Sequence, residues 1–323
     1  MNRIQAQKIV ERIQNIPLYL HAYAFHLNMR MEKILPEGLL DIASEQKLKG
    51  VKVHVLDGES QSLSCADDAR LQKFGEKAHS LGLDVHIETS ASDAETIDAA
   101  VAIALKSDAS SVRFYPRYEG HLAEVLAQVK QDIQYIKAHY QHSGLTFTLE
   151  QHEDLKSHEL VRLIEEADFP QLSFLFDFAN MINANEEPLP ALAAMASKIT
   201  QVHIKDALII REANGLGHQA CISGQGDLPF KELLFQLICL GEHSPQVMAY
   251  GLEEEVDYYA PPFRFQGEDN NPWIPWRQMS ETELPKENLD TRLEKEFDDA
   301  INQIHYVRNI LNELAQEAIA VLN

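Results

Sequence analysis

The sequence is poor in cysteine, in basic charge and in long apolar runs, and each shortage removes a class of protein. Its 323 residues hold three cysteines, Cys65, Cys221 and Cys239, odd in number, far apart and without a C-x-x-C spacing. Neither a disulfide framework nor a zinc ribbon is therefore expected. Only 28 lysines and arginines stand against 50 aspartates and glutamates, for a formal net charge of −22. A field of that sign repels a phosphate backbone, so nucleic acid is not an expected partner. It does not keep a small molecule from a bound cation, which dominates its own surroundings. No apolar run approaches the roughly 18 residues that a membrane span needs. The opening Met1-Asn-Arg-Ile-Gln-Ala-Gln7 lacks the basic-then-apolar order of a signal peptide. The expectation is a soluble cytoplasmic protein with no membrane partner.

What is present is a rhythm. Hydrophobic residues make up 45% and charged residues 24%, enough for a large core under a solvated surface. The length fits two average domains or one α/β barrel. Ile4, Ile9, Val10 and Ile13 recur at near-helical spacing ahead of Pro17, so a helix precedes the first strand. Strand-like runs then appear at 18–24, 50–57, 83–88, 110–115, 144–150, 172–177, 200–203 and 247–253. Helical patterns follow each of them, ending in a long one over 289–321. Eight strand–helix units predict an α/β protein with a (β/α)₈ TIM barrel. The expected organisation is a single domain over 1–323, with an N-terminal helix in 1–16, a long loop over 257–287 and a C-terminal helix in 288–321. The competing open, doubly wound sheet usually shows a Gly-rich turn after an early strand, and none stands here.

Four consecutive strands end on residues able to hold a metal or move a proton: Glu150, Asp177, His203 and Glu253. Taken singly, each has a plainer explanation. Glu150 is a solvated strand end, Asp177 a helix cap and His203 a core histidine. Their recurrence at the carboxyl ends of successive strands, where a barrel keeps its active site, favours one shared site. Three carboxylates and an imidazole suit one divalent ion: Mn²⁺, Mg²⁺ or Co²⁺, with Zn²⁺ as a further option. Glu255 lies on the same side as Glu253 by strand alternation and is the alternative ligand there.

The series Glu150, Phe176-Asp177-Phe-Ala-Asn180, Val202-His203-Ile-Lys205-Asp206, Gly224-Gln-Gly226-Asp227 and Gly251-Leu-Glu253 resembles the xylose-isomerase-like TIM barrels, a superfamily that includes sugar and sugar-phosphate isomerases and epimerases. The resemblance covers strands five to eight by motif and the first four by rhythm. It implies that Glu150, Asp177, His203 and Glu253 bind one divalent metal, and that Glu150 and Glu253 flank the substrate as acid and base. Lys205, Asp206, Gly224 and Gly226 also match the family pattern. The DNA-repair branch carries an extra histidine after the sixth-strand aspartate, where this chain reads Asp177-Phe-Ala-Asn180-Met181. With the −22 charge, this argues against that branch.

The chemistry agrees with the resemblance. A metal stabilises the enediolate left when a carbon-bound proton is removed, and epimerisation needs a second group to return a proton on the opposite face. Further substrate contacts are expected from Lys205, on the same side as His203, from Arg211 in the loop after strand seven, and from His54 and Arg113 on the early strands. His21 and Glu88 are weaker candidates on the same strands. Asp206 is expected to orient His203 through its ring N–H, or else to cap a turn. Gly224-Gln-Gly226 reads as a tight turn rather than a phosphate cradle. The segment 257–287, with both tryptophans, is either a wall over the barrel mouth or an oligomer contact. The apolar stripe of the last helix fits barrel packing better than a partner interface, though a homo-oligomer is kept as an option. The expected function is a divalent-metal-dependent isomerase or epimerase of a carbohydrate or sugar acid. The alternatives are a decarboxylase or dehydratase of a keto sugar acid on the same fold, and a carbohydrate-binding barrel without catalysis.

Overall fold

The eight expected strands form one closed parallel barrel in the computed structural model, which describes residues 1–277 and 288–323. They are β1 Leu18–His21, β2 Gly50–His54, β3 Asp84–Glu88, β4 Ser111–Phe114, β5 Thr146–Glu150, β6 Leu172–Asp177, β7 Ile199–Ile204 and β8 Ala249–Leu252. Neighbours pair in chain order, and β8 closes on β1 with Leu18 opposite Tyr250 and Leu20 opposite Leu252. This closure excludes the open doubly wound sheet. The helices that return the chain include Pro36–Glu45, Asp68–Ser80, Ala94–Lys106, Leu122–Tyr140, Ser157–Ala167, Pro188–Met195 and Phe230–Cys239, with Leu289–Leu322 last.

Strand alternation explains the barrel. One set of side chains, among them Leu20, Val51, Val53, Ile87, Phe147, Phe174, Phe176 and Val202, lies in the apolar core under the helices. Each such fully buried side chain contributes about 1.5–3 kcal/mol by leaving water. The other set faces the bore, and here it is polar, where barrels commonly carry branched apolar residues. Lys52 is completely buried; its Nζ donates to Gln201 Oε1 at 2.6 Å and to Glu88 Oε1 at 3.3 Å. His86 joins the same Gln201 oxygen at 3.1 Å, and Gln201 donates to Ser111 at 2.7 Å. Gly251 makes room for this network, since a Cβ there would sit 2.7 Å from Lys52 Cδ.

Outside the barrel, the helix Arg3–Arg12 opens on a capping box in which Asn2 and Gln5 satisfy each other's backbone N–H. Its Arg12 donates to the carbonyls of Ile238 and Gly241, each at 2.9 Å. On the final helix, Ile304, Val307, Leu311 and Leu314 are buried in the core, the packing role expected for that stripe.

The loop after β7 differs from expectation. It is a β-hairpin, Asp206–Glu212 antiparallel to Gly215–Cys221, with Tyr259–Ala260 as a third strand. Beyond β8 the chain crosses the barrel mouth. Tyr258 donates to Glu153 at 2.8 Å, Arg264 pairs with Glu159 at 2.8 and 2.9 Å, and Trp273–Ile274 pairs with Gly120–His121. The part of the expected loop over 278–287 lies outside the described residues. Among the described residues, no helix is long and apolar enough to cross a membrane.

Candidate functional site

Glu150 is the last residue of β5, Asp177 the last of β6, His203 is in β7, and Glu253 immediately follows β8. The barrel's closure brings their side chains to one point. His203 Nδ1 lies 3.4 Å from Glu150 Oε1, 3.6 Å from Glu253 Oε2 and 4.0 Å from Asp177 Oδ2. Asp177 divides its work. Oδ1 accepts from the Ala179 and Asn180 amides, each at 2.8 Å, as a turn cap does, and Oδ2 is left for the site.

Glu150 Oε2, Asp177 Oδ2, His203 Nδ1 and Glu253 Oε2 are buried without a hydrogen-bond partner. Buried polar atoms are rarely left so; Lys205 stands within 3.2 Å of two of them and Arg113 within 3.2 Å of a third, and the four together form a candidate cation site. A set of three carboxylates and an imidazole fits a divalent metal ion in donor type and number. Glu150, Asp177 and His203 alone already offer donor atoms within 4.8 Å of one another.

His203 is oriented from the far side. Its Nε2 meets Glu88 Oε1 at 3.0 Å, leaving Nδ1 for the cluster. Burial favours the neutral ring, but Glu88, Glu253 and Glu150 outweigh it and lift His203 to about 9, so a proton and a cation compete for Nδ1. Burial also raises the carboxylates, and Asp177 moves up to about 6. For Glu150, Arg113 and His203 override burial and lower its pKa; for Glu253, Lys205 and His203 do the same.

Two expectations are corrected. Asp206 does not reach His203; it accepts from the amides of Gly224 (2.8 Å), Gly226 (3.0 Å) and Ala207 (2.9 Å), and so holds the Gly224-Gln-Gly226 turn. Glu88 makes the contact expected of it. Arg211 is exposed on the hairpin, opposite Leu216, and is not among the residues lining the cavity, because it stands at the hairpin's far end beside the turn between Glu212 and Gly215. The other expected residues are present. Lys205 Nζ lies 3.1 Å from Asp177, 3.2 Å from Glu253 and 3.3 Å from Glu255. Glu255 therefore meets Lys205, while Glu253 meets His203. Arg113 Nε lies 3.2 Å from Glu150, and its Nη2 binds Glu88. His54 bonds Ser90 at 2.7 Å on the cavity wall, and burial, with Arg113 nearby, lowers it to about 3.

These groups line a cavity of about 370 Å³, a size that suits a small metabolite. Tyr258 and Arg277 from the segment after β8 complete its wall, together with Tyr115, Arg117, His152 and Asn180. Sequence reading did not single out these last residues as ligand contacts. His152, two positions beyond Glu150, carried a signal through strand alternation; Arg277 carried none.

The family model of the xylose isomerase-like TIM barrel matches residues 40–248, more than half of the chain. The chain belongs to the xylose isomerase-like TIM barrel family. Within the family it is 67% identical over 319 residues to the uncharacterized protein YihM of Escherichia coli (strain K12), covering 98% of each chain. It is also 21% identical over 278 residues to 3-oxo-isoapionate decarboxylase of Pectobacterium atrosepticum, covering 84% of this chain and 91% of that protein. Among solved structures, that of a D-tagatose 3-epimerase-like protein superposes with a TM-score of 0.63 at 13% identity, over 94% of this chain and 99% of the other. That likeness is one of fold.

Proposed function

We propose that this chain is a divalent-metal-dependent isomerase or epimerase that acts on a carbohydrate or sugar acid through an enediolate. The observation that carries the reading is the convergence of four buried donor atoms without hydrogen bonds, from Glu150, Asp177, His203 and Glu253, beside a cavity that Glu150 and Glu253 line. A metal ion held by these residues would supply Lewis-acid polarisation of substrate oxygens.

The chain's own groups do the proton chemistry. Glu150 and Glu253 approach from opposite stretches of the barrel wall, β5 and the end of β8, and both favour the ionised form. One, ionised, removes the carbon-bound proton; the other first takes up a proton from solvent or a substrate hydroxyl and returns it to the opposite face, so that one carboxyl ends protonated and the other ionised. Lys205, against Asp177, Glu253 and Glu255, places a positive charge where negative charge develops on the substrate. The buried wall limits water around the intermediate.

Glu150→Gln and Glu253→Gln, made separately, are each expected to lower turnover by about 10²–10⁴-fold while the protein still binds metal by elemental analysis. Substantial turnover in either metal-loaded variant would sink the acid–base assignment. Substrates are sought by NMR in D₂O, with metal added to ketoses, sugar phosphates and keto sugar acids. Deuterium at the carbon next to the carbonyl is the expected signature.

A second reading is decarboxylation of a keto sugar acid through the same intermediate. The cation Lys205 in the cavity and the decarboxylase relative spanning 84% of this chain favour it. Release of CO₂ in the same screen would select it. Protein prepared without chelator that carries no divalent metal would favour a binding barrel without catalysis over both.

A further inference from the structure

His152 lies two residues beyond Glu150, on the wall of the same cavity. Arg277, from the segment beyond β8, donates through Nη1 to His152 Nδ1 and to the His152 carbonyl at 2.8 Å. Nη1 also faces Glu153 at 3.2 Å, and Nη2 reaches Pro116 O at 3.1 Å and Asp154 at 3.4 Å, so the guanidinium is fixed in place. The imidazole ring stacks on Tyr115, with centroids 3.9 Å apart and planes 23° from parallel. The Arg277 guanidinium carbon lies 5.0 Å from the centre of the same Tyr115 ring. Ring plane and ring rotation are both set.

A guanidinium has donors and no acceptor. The nitrogen it faces must therefore offer a lone pair, which leaves the ring proton on Nε2. An imidazolium would oppose one N–H to another. Among the described residues Nε2 has no hydrogen-bond partner, and the side chain remains 19% exposed on the cavity wall. A polar donor of this kind, unmatched among the described residues, is open to what enters the cavity.

We propose that His152 donates a hydrogen bond through Nε2 to an acceptor oxygen of the substrate, and that Arg277 is the positioning residue that fixes its tautomer. The proposal rests on the enzymatic reading for the existence of a substrate, and on geometry alone for the tautomer. Because Nε2–H can only donate, it requires an accepting oxygen, whether keto, carboxylate or hydroxyl, at that point of the ligand. Because Arg277 arrives on the segment after β8, the donor is set only when that segment is seated across the mouth. The segment thus takes part in recognition as well as enclosing the cavity.

The test is ¹⁵N NMR of the full chain with magnesium added, the His152 ring signals being assigned by their loss in His152→Gln. The expected result is a neutral Nε2–H ring in the parent protein and in Arg277→Lys, whose ammonium also donates. In Arg277→Met, an admixture of the Nδ1–H form is expected. An Nδ1–H ring or an imidazolium in the parent overturns the proposal, and an unchanged tautomer in Arg277→Met overturns the role of Arg277. On a substrate found by the deuterium screen, His152→Phe is expected to lower kcat/KM by about a hundredfold, with partial recovery in His152→Gln, whose amide still donates. Equal loss in both variants overturns the donor role. The tautomer measurement needs no substrate, so a screen without turnover counts against the proposed function and leaves the His152–Arg277 result standing.

Discussion

Glu88 is the residue on which the charges of the bore converge. Its Oε1 takes His203 at 3.0 Å and Lys52 at 3.3 Å; its Oε2 takes His21 at 2.8 Å and Arg113. Burial alone would raise this carboxyl, but Arg113, His21, His203 and Lys52 hold it well below the usual carboxylate range. It is thus a permanent anion that keeps the other nitrogen of His203 free for the cluster. Glu88→Gln leaves those donors without their counter-charge, and breaking a buried pair from one side costs about 3–5 kcal/mol. The variant is expected to lose that much in denaturant unfolding, and to bind metal about 10–100-fold more weakly by calorimetry, as when a group that orients a metal ligand is removed. Unaltered metal affinity would show that Glu88 serves packing alone. Arg211→Ala is the contrasting case. The side chain is exposed, so stability is expected to stay within about 0.5 kcal/mol of the parent.

At the scale of elements, the hairpin Asp206–Cys221 and the turn at Gly224 form one unit latched by a single carboxylate. Gly226 is needed because a Cβ there would lie 2.1 Å from Asp206 Oδ1. Asp206→Ala removes three amide partners; each hydrogen bond to a charged group contributes about 1.5–3 kcal/mol. A loss of at least one such bond in thermal unfolding, with metal affinity at the parent level, is the expected result. A tenfold fall in metal affinity would restore Asp206 to the role of orienting His203. The case shows what a sequence carries and what it does not. The barrel was legible because each strand alternates, Val51 and Val53 outward against Lys52 inward, with a helix after each strand. The cluster was legible because all four residues sit at strand ends, a position readable locally. Glu88 was named only as a weak candidate, because its partner His203 is 115 residues away and four strands around the wall. Only closure brings the two together. The hairpin did have a local sign, Asn214-Gly215 at its turn; read as loop, it hid that Arg211 stands at the hairpin's far end.

Over the whole molecule, a surplus of 22 negative charges surrounds a bore in which the acids meet cations, and at the cluster three carboxylates share Lys205 and Arg113. A divalent ion binding only the folded barrel stabilises it by about 2.7 kcal/mol at a hundred times its Kd. A rise in Tm on adding Mn²⁺ or Mg²⁺, reversed by chelator and absent in His203→Ala, is expected; an equal rise in that variant would place the ion elsewhere. Acid acts on the fold through histidines buried without charge. His218 is fully buried, with Nδ1 2.6 Å from Asn183 Oδ1, and burial, helped by Lys205, lowers its pKa to about 3. Unfolding returns the ring to about 6.5, so between these values the unfolded chain binds a proton that the folded chain refuses. Stability from this residue is complete above about pH 6.5 and falls as pH drops, with a slope of up to about 1.4 kcal/mol per pH unit until about pH 3. His218→Gln does not titrate and keeps a donor for Asn183. Measured by urea unfolding at pH 7.5 and 5.0, the parent is expected to lose stability relative to this variant as pH falls. A constant difference between the two would mean that His218 is protonated in the folded barrel.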